Sequence, residues 1–296
     1  MRRSRMHLIV NPAANRGRSG RVIGRLSELL VGSDVEPKWY VTNGPDEARR
    51  ITASLPEDEV VVAVGGDGTV HEVSSACIGT GRVMGVVPTG SGNDYVKALG
   101  AGFGRDFERT VEVLLKGRVR TVDAGVVNGT TFNNGLGIGF DAEVAQGVAT
   151  APACLGGTGR YLWSVGRLLV GFGCHRATLT FGETGEVVEA ETILVAAALG
   201  TTYGARFRLA PESKLDDGLF DVVWSEKIDR RDVLRILPSA LSGSLYRHKE
   251  INVRRTASLT VELAEAVPAH VDGEMLAPTR RFEAEVLPGA LRVIAP

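Results

Sequence analysis

Short apolar runs alternate with helix-like stretches in the first third of the chain. The runs predict four strands, at residues 7–10, 36–41, 60–64 and 83–87. The run at 60–64 is continuous and β-branched, which is typical of a strand buried on both faces. Between the runs, apolar side chains recur at helical spacing over residues 22–30, and a second helix is expected to open with acidic residues in its first turn. This alternation predicts a parallel sheet with helices on both faces.

The remainder of the chain has the pattern of antiparallel strands. Asn128-Gly129 predicts a two-residue hairpin turn, and residues 182–185 separate two further strand-like runs. Residues 258–263 alternate polar and apolar side chains, and the run at 282–294 is expected to fold back at Pro288-Gly289. The pattern favours a β-sandwich or a partly open barrel.

Two domains suit a chain of 296 residues, 44% of them hydrophobic, better than one. We predict a fold that is α/β plus all-β. An N-terminal parallel-sheet, nucleotide-binding domain would cover residues 1–118, and a C-terminal antiparallel β-sandwich domain would cover residues 119–296. The sequence has no internal repeat and no low-complexity linker, so the domains are expected to share a firm interface, and the last strand could return to the first domain.

The charge balance argues against a nucleic-acid partner. The chain has 34 basic and 35 acidic residues, for a net charge of −1, whereas nucleic-acid-binding domains usually show a basic excess. The three cysteines, Cys77, Cys154 and Cys174, are too few and too scattered for a disulfide framework or a zinc site. We expect them to be buried thiols in a reducing cytoplasm.

Nothing in the sequence predicts a membrane span. The apolar stretch after the basic N-terminus ends at Asn11-Pro12 and is too short for a signal-peptide core. The longest apolar stretch, residues 161–172, is interrupted by Arg167 and falls well short of the roughly 20 residues that a span needs. We expect a soluble, cytoplasmic protein that contacts the inner face of the membrane transiently and peripherally.

Three polar, glycine-rich loops follow predicted parallel strands, at residues 11–17, 65–69 and 89–94. Ligands of open parallel sheets bind at this edge, where glycines admit a phosphate close to the backbone and free N–H groups favour anions. Asp67 and Asp94 would repel a bound phosphate unless a hard cation lay between them, and magnesium with retained waters meets that need. Any one loop could be an ordinary capped turn, but the three together predict a nucleotide and magnesium site.

The segment Gly-Gly-Asp-Gly-Thr-Val-His-Glu at residues 65–72 resembles the diacylglycerol kinase catalytic-domain superfamily, which includes sphingosine and ceramide kinases. NAD kinases share its first five residues. Residues 88–95, Pro-Thr-Gly-Ser-Gly-Asn-Asp-Tyr, resemble the second motif of the superfamily, which NAD kinases lack in this form. Further resemblances follow in the family's order over nearly the whole chain, at Asn11-Pro12 and in three later segments: residues 137–144, 214–221 and 271–274.

The resemblance implies an enzyme that uses ATP and Mg²⁺ to phosphorylate a lipid alcohol such as diacylglycerol. In such an enzyme Asp272 would be the general base, and Glu274 would be the second catalytic residue. The catalytic magnesium would be bound, partly through water, by Asp67, Asp94 and Glu274. ATP would be held by residues of the nucleotide-binding edge: Asn11, Thr42, Gly65, Gly66, Asp67, Gly68, Thr69 and Ser91.

The resemblance also implies a structural magnesium on the Asp217 carboxylate and the backbone carbonyls of Lys214 and Leu219. An Asp-Asp-Gly segment is also a common turn, so an ordinary turn is the alternative. Asp141 stands where an acid contacts the lipid head group in sphingosine kinases, and its alternative role is to cap a helix. A helical insert expected near residues 158–172 could line an acyl-chain pocket or pack onto the sandwich core.

Elementary chemistry supports a carboxylate base. A lipid hydroxyl is a poor nucleophile at neutral pH, so a carboxylate within hydrogen-bond reach must accept its proton as the phosphorus–oxygen bond forms. Asp272 and Glu274 are two residues apart, and on an extended strand both would face one side. The alternative is a hairpin turn of ordinary surface acids. His71, where bacterial relatives commonly carry Asn, lies one turn into a predicted helix and gives no support for acid–base catalysis there.

Two other functions compete with a lipid kinase. A NAD kinase would need an Asn-Glu element where this chain has Asn93-Asp94, and it leaves the Asp-Gly-Glu element at residues 272–274 unexplained. A catalytically silent lipid-binding regulator on the same fold is disfavoured, because every predicted metal and base position keeps a carboxylate. The identity of the lipid stays open, and edge strands of the second domain could pair two copies into a homodimer.

Overall fold

The N-terminal part of the molecule is a parallel sheet covered by helices. The computed structural model describes residues 4–100, 103–104, 106–169, 173–204 and 207–296. The first strands are β1 (Ser4–Val10), β2 (Val35–Val41), β3 (Val60–Gly65) and β4 (Val83–Pro88). The helices are α1 (Ala14–Leu30), α2 (Glu47–Ser54), α3 (Asp67–Cys77), α4 (Asp94–Leu99) and α5 (Phe107–Lys116).

These four strands lie in the order β4-β3-β1-β2, and each neighbouring pair is parallel. Residues 61–64 of the central strand β3 have no exposed surface. Helices cover both faces of such a strand, which explains why its sequence is a continuous apolar run rather than an alternating one. The predicted parallel sheet is confirmed.

The described residues of the remaining chain form mainly antiparallel strands, together with further helices. The strands are β5 (Arg118–Val127), β6 (Thr130–Phe132), β7 (Gly135–Gly139), β8 (His175–Phe181), β9 (Glu186–Thr192), β10 (Leu194–Ala198), β11 (Phe220–Ser225), β12 (Ile251–Thr256), β13 (Ser258–Val271) and β14 (Glu274–Ala295). The helices are α6 (Phe140–Thr150), α7 (Gly156–Leu168) and α8 (Arg230–Ser242), with short 3₁₀ helices at Ala153–Leu155 and Leu245–Arg247.

Both hairpins predicted from turn residues are present. Asn128 and Gly129 connect β5 to β6 with φ angles of 48° and 84°, the left-handed conformation that an Asn-Gly turn favours. Residues 182–185 connect β8 to β9. Helix α7 accounts for most of the predicted helical insert, and residues 170–172 at its expected end lie outside the described residues.

The predicted reversal of the chain at Pro288-Gly289 is wrong. Strand β14 continues through this dipeptide to Ala295, and its register against β5 shifts between Leu287 and Leu291. Gly289 has a φ of 61° and lies in a β-bulge. A bulge favours the same residue types as a turn, but it only bends the strand. Leu291 beyond the bulge is fully buried, so tertiary packing favours continuation of the strand.

One 14-stranded sheet runs through both parts of the described chain. The end of β14 pairs in parallel with β4 and antiparallel with β5, while its beginning pairs with β13. The predicted domain boundary at residues 118 and 119 stays a prediction, because the sheet is continuous across it. The predicted mixture of parallel and antiparallel parts is confirmed.

Two further expectations concern exposure. Cys77 is buried as expected, but Cys154 and Cys174 are exposed, so the expectation of three buried thiols is wrong for these two. Both exposed cysteines flank helix α7, where the chain crosses the surface rather than the core. In the described part of the chain, no helix is both long enough and apolar enough to cross a membrane.

Candidate active site

Two glycine-rich loops meet at the carboxyl edge of the parallel sheet. The amide of Thr89 donates to the carbonyl of Gly65 at 2.8 Å. A Cβ atom on Gly90 would lie 2.6 Å from the Cα atom of Gly66, so a side chain at this position would push the loops apart. A Cβ atom on Gly65 would likewise overlap the Thr69 side chain. The glycines therefore allow the two loops to converge beside the N-terminus of α3, whose free N–H groups favour an anion.

The third loop and the end of β2 complete this edge. The amide of Asn11 donates to the carbonyl of Val64 at 3.1 Å. Thr42 is buried, and its hydroxyl donates to the carbonyl of Val10 at 3.3 Å. Ser91 is exposed on the loop after β4. The residues predicted to hold ATP therefore lie along one edge of the sheet, although the Thr42 hydroxyl is engaged with the backbone.

Asp67 and Asp94 form an acidic pair at the starts of α3 and α4. The two carboxylate oxygens of Asp67 accept from the amides of Asp94 and Asn93, at 2.7 Å and 2.9 Å. Burial, followed by the negative charge of Asp94, raises the pKa of Asp67 above its ordinary value. Lys97 binds one oxygen of Asp94 at 2.8 Å.

The acidic pair fits a magnesium ion that keeps water ligands. Glu274 extends toward the start of α3, where its Oε1 atom would lie 3.2 Å from a Cβ atom on Gly68. Within the described ranges, no three acidic, histidine or cysteine side chains cluster closely enough to hold an ion directly. Magnesium commonly binds proteins through one or two carboxylates and several waters, so Asp67, Asp94 and Glu274 are suitable for such a site.

Asp272 and Gly273 form the two-residue turn between β13 and β14, with φ angles of 52° and 91°. The expectation that Asp272 and Glu274 face one side of an extended strand is therefore wrong. The Glu274 side chain is exposed, whereas only 4% of the Asp272 side chain is accessible. The segment has the shape of a hairpin turn, but tertiary packing buries its aspartate.

Four donors surround the Asp272 carboxylate. One oxygen accepts from the amides of Asn134 and Gly135, both at 2.9 Å. The other accepts from the amide of Asn133 at 2.9 Å and from Nδ1 of His71 at 2.8 Å. Together these bonds fill the four lone-pair directions of a carboxylate. A proton arriving at Asp272 must displace one donor, and the His71 side chain is the one that can move without a change in the backbone.

His71 is a site residue that the sequence interpretation missed. Burial alone would lower the pKa of His71, but the hydrogen bond to Asp272 and the charge of that carboxylate raise it above its ordinary value. The available signal was spacing: Asp67 and His71 are four residues apart on α3 and therefore share one face of the helix. No sequence signal marked the backbone donors at residues 133–135, because every residue other than proline has a backbone N–H group.

A cavity of about 610 Å³ joins the acidic groups to an apolar region. Asp67, Asp94 and Asp272 line its acidic end. Asp141 also lines the cavity, and 20% of its side chain is accessible. The apolar lining comes from α6, α7, α8 and the segment before them: Val144, Val148, Leu162, Phe207, Leu237 and Leu241. The lining of the cavity thus combines carboxylates with apolar side chains.

Helix α7 contributes to both the cavity and the core. Leu162 lines the cavity and is 56% exposed, whereas Val165 is buried. The guanidinium group of Arg167 lies 5.5 Å from the centre of the Trp163 ring. One face of the helix therefore lines the cavity and another is buried, and the acyl-pocket wall stays a prediction.

The Asp217 carboxylate, predicted to bind a structural magnesium, has two protein partners. One oxygen accepts from the amide of Leu219 at 3.2 Å, and the other forms an ion pair with Arg255 on β12. A metal ion on this carboxylate would compete with Arg255. The structural magnesium of Lys214, Asp217 and Leu219 stays a prediction.

Asp123 on β5 is a second residue that the sequence interpretation missed. Its carboxylate accepts from the amides of Gly218 and Gly289, at 2.7 Å and 2.8 Å. These bonds join the turn after Asp217 to the bulge of β14. Asp123 interrupts an apolar strand pattern in the sequence. An acidic residue at a position that this pattern expects to be buried was the available signal for a structural role.

Two protein-family models match consecutive parts of the chain. The sequence model described as the diacylglycerol kinase catalytic domain matches residues 5–127. The one described as the YegS C-terminal NAD kinase beta sandwich-like domain matches residues 134–295. The antiparallel part of this structure therefore corresponds to a known β-sandwich-like domain.

Individual relatives cover nearly the same length. A diacylglycerol kinase of Bacillus subtilis is 26% identical over 274 residues, which are 91% of this chain and 89% of the relative. A protein of Pseudomonas aeruginosa named "Probable lipid kinase YegS-like" is 32% identical over 262 residues, covering 86% and 83% of the two chains. A solved diacylglycerol kinase structure from Bacillus anthracis superposes with a TM-score of 0.74 at 19% identity, covering 99% of this chain and 97% of the other, which shows a common fold.

Proposed function

The chain belongs to the bacterial diacylglycerol kinase catalytic-domain family, and from that premise we propose the reaction that it catalyses. It is an ATP-dependent lipid kinase. In the proposed reaction, the γ-phosphate of ATP passes to a hydroxyl group of a lipid such as diacylglycerol, with Mg²⁺ as the cofactor.

The observation that carries this proposal is the cavity between the acidic pair and the apolar helices. A phosphate acceptor with an acyl chain needs a polar end for its reacting hydroxyl and an apolar wall for its chain. Asp272 lines this cavity together with the apolar side chains of Leu162 and Leu241. NAD, by contrast, has no acyl chain to lie along such a wall.

ATP is expected along the glycine-rich edge of the parallel sheet. The backbone amides at the start of α3 face the phosphates in this arrangement, because helix N-termini favour anions. Asp67, Asp94 and Glu274 would hold magnesium, which when bound supplies positive charge to the phosphate oxygens. Burial and the charge of Asp94 raise the pKa of Asp67, and a cation bound between the two carboxylates would offset this repulsion.

Asp272 is the proposed general base. The hydroxyl of the lipid loses its proton to an oxygen of Asp272 as that hydroxyl oxygen bonds to phosphorus, and the bond between phosphorus and ADP breaks. The backbone donors at residues 133–135 keep the carboxylate in place during this step. His71 donates to the same oxygen that Asn133 contacts, and its departure would free a lone pair for the incoming proton.

Peripheral membrane contact is proposed at the mouth of the cavity. Leu162 on α7 and Leu241 on α8 are 56% and 47% exposed while they line the cavity. Apolar side chains around the entrance can enter the lipid interface, so a lipid substrate could reach Asp272 without crossing water. The proposed location is the inner face of the membrane, where the contact would be transient.

A label-transfer screen tests the proposed function. The purified chain is incubated with γ-labelled ATP, Mg²⁺ and micelles of single lipid alcohols, including diacylglycerol, phosphatidylglycerol and a sphingoid base, with NAD as the soluble rival. We expect label in a lipid product, and loss of that label when EDTA removes magnesium. Label on NAD alone, or lipid binding with no labelled product, would overturn the proposal in favour of a NAD kinase or a silent regulator.

A further inference from the structure

The buried histidine beside the catalytic turn has a partner at each ring nitrogen. His270 lies near the end of β13, and its Nε2 atom is 3.0 Å from Oδ2 of Asp141. Its Nδ1 atom accepts from the amide of Gly273 at 3.2 Å. The ring therefore connects a carboxylate of the cavity to the backbone of the turn that presents Asp272.

The hydrogen bonds determine which nitrogen carries the proton. The Gly273 amide can only donate, so Nδ1 of His270 must be the acceptor. The remaining proton is then on Nε2, where it donates to Asp141. A single neutral tautomer satisfies both contacts at once.

The space around the pair is restricted. A Cβ atom on Gly137 would lie 2.7 Å from Nε2 of His270 and would overlap Oδ2 of Asp141. The two side chains therefore lie directly over the backbone of β7. His270 is 5% exposed, so water does not readily replace either partner.

The second oxygen of Asp141 is available to a ligand. No described residue donates to Oδ1 of Asp141, and the side chain lines the cavity. This oxygen remains partly accessible, so it can accept a hydrogen bond from a donor on a ligand. A hydroxyl or amino group of the acceptor's head group can supply that donor.

We propose that His270 is a positioning residue that couples head-group binding at Asp141 to the orientation of the catalytic turn at residues 272–273. A head group that binds Asp141 holds the His270 ring, and the ring in turn holds the Gly273 amide next to the base. This coupling rests on the proposed lipid-kinase function. It assigns a role in the reaction to a residue that does not itself contact the transferred phosphate.

Two conservative substitutions test separately the contact of His270 with Asp141 and its contact with Gly273. His270→Gln extends an amide N–H toward Asp141 but removes the acceptor near Gly273. His270→Asn keeps an oxygen near Gly273 but does not reach Asp141. We expect the Gln variant to lower kcat by about tenfold with a near-normal KM for the acceptor, and the Asn variant to raise that KM by about tenfold with a near-normal kcat. If His270 only stabilised the fold, the two substitutions would not change kcat and KM separately.

Larger changes and a matched control complete the kinetic test. His270→Phe should impair both parameters, and adding Asp141→Asn to it should lower kcat little further, because the link from Asp141 to the turn is already broken. His175→Phe is the control: His175 also contacts a carboxylate, Glu265 at 2.8 Å, but it lines a different cavity. The control should leave both parameters within about twofold of the parent chain. Equal effects of Gln and Asn on the same parameter, or additive effects of Phe and Asp141→Asn on kcat, would overturn the coupling.

Amide exchange provides a readout that does not need turnover. Diacylglycerol micelles should slow hydrogen exchange at the Gly273 amide in the parent chain, and this protection should disappear in Asp141→Asn. Protection that persists in Asp141→Asn would overturn the coupling. A parent chain that shows the protection but phosphorylates no lipid would instead refute the proposed function, so the two failures are distinguishable.

Discussion

A single carboxylate, Asp272, is held in place on every side and is also the proposed general base. It accepts hydrogen bonds from three backbone amides and one histidine. A general base must accept a proton during the reaction, so the proposed role requires one of these donors to move. The backbone donors fix the position of the carboxylate, while the one side-chain donor, His71, can yield its place to the proton.

Asp272→Asn should abolish turnover without loss of nucleotide affinity. The amide cannot accept the proton, and its NH₂ group would face backbone N–H donors. We expect turnover to fall by at least about 100-fold, the usual contribution of a general base, while the Kd of a non-hydrolysable ATP analogue stays within about twofold. Steady-state kinetics and titration calorimetry measure these quantities. Asp34→Asn, on an exposed turn before β2, is the matched control. Turnover that survives Asp272→Asn would show that another group is the base.

The acidic pair at the two helix starts should make metal-free stability depend on pH. A carboxyl group whose pKa is raised by folding stabilises the fold below its unfolded pKa, and that stabilisation is lost as pH rises through the folded pKa. For Asp67 the window therefore begins near the ordinary value of 3.8 and extends upward.

Asp94→Asn should reduce this loss because it removes the second-largest cause of the raised pKa. We expect the EDTA-treated variant to gain about 2 °C in Tm relative to the parent at neutral pH, with a smaller difference near pH 4. Magnesium should raise the Tm of the parent more than that of the variant. Thermal scans over this pH range check both points, and a variant less stable than the parent at every pH would contradict them.

At the level of elements, short turns and helix starts carry the candidate site. The turn between β13 and β14 places Asp272 inward and leaves Glu274 exposed. Helix α3 presents Asp67 and His71 on one face, so nucleotide-binding and base-supporting groups belong to the same helix. Among the described residues, the loop around Asp217 makes no hydrogen bond to Asp67, His71 or Asp272. Asp123 connects this loop to β5 and β14 instead.

Asp217→Asn tests whether that loop holds a structural metal. If magnesium binds Asp217, the substitution should lower stability and activity together, by about 2 °C or more in Tm, and EDTA should have no further effect on this loop. Asp216→Asn is the matched control, because the neighbouring Asp216 is exposed and pairs with Arg120 instead. A change in kinetics with no change in Tm would refute a structural metal at this position.

At the scale of the whole molecule, β14 connects the two parts of the sheet. Its 22 residues pair with β13, β5 and finally β4, so one strand reaches from the catalytic turn to the parallel sheet. The cavity lies where these parts meet, with Asp67 from one side and Asp141 from the other. Movement of one part relative to the other would therefore change the distance between nucleotide and acceptor groups.

Leu162→Ser combined with Leu241→Ser should weaken membrane binding. Two apolar side chains at the mouth of the cavity would be replaced by polar ones, and the loss of their burial in lipid should raise the apparent Kd for phospholipid vesicles by about tenfold. Vesicle co-sedimentation measures this Kd. Val187→Ser, at a 58% exposed position on the β8–β9 hairpin, is the control and should have no effect. Equal weakening by the control would place the membrane contact elsewhere.

The sequence alone determined the elements whose cause is local. The β-branched run at residues 60–64, the helical spacing at residues 22–30 and the Asn128-Gly129 turn each reflect backbone and side-chain preferences that act over a few residues. The predicted parallel sheet and its glycine-rich edge followed from those elements, and the resemblance to a family supplied the residues of the candidate site.

Tertiary structure decided what depends on contact between distant residues. His71, the amides at residues 133–135 and Asp272 come from three separate segments, and nothing within any one segment shows that they meet. Pro288-Gly289 has the composition of a turn, yet it forms a bulge because packing of Leu291 beside β5 favours a continuous strand. Local preferences are worth about 1 kcal/mol or less per residue, so the burial of a large side chain can override them.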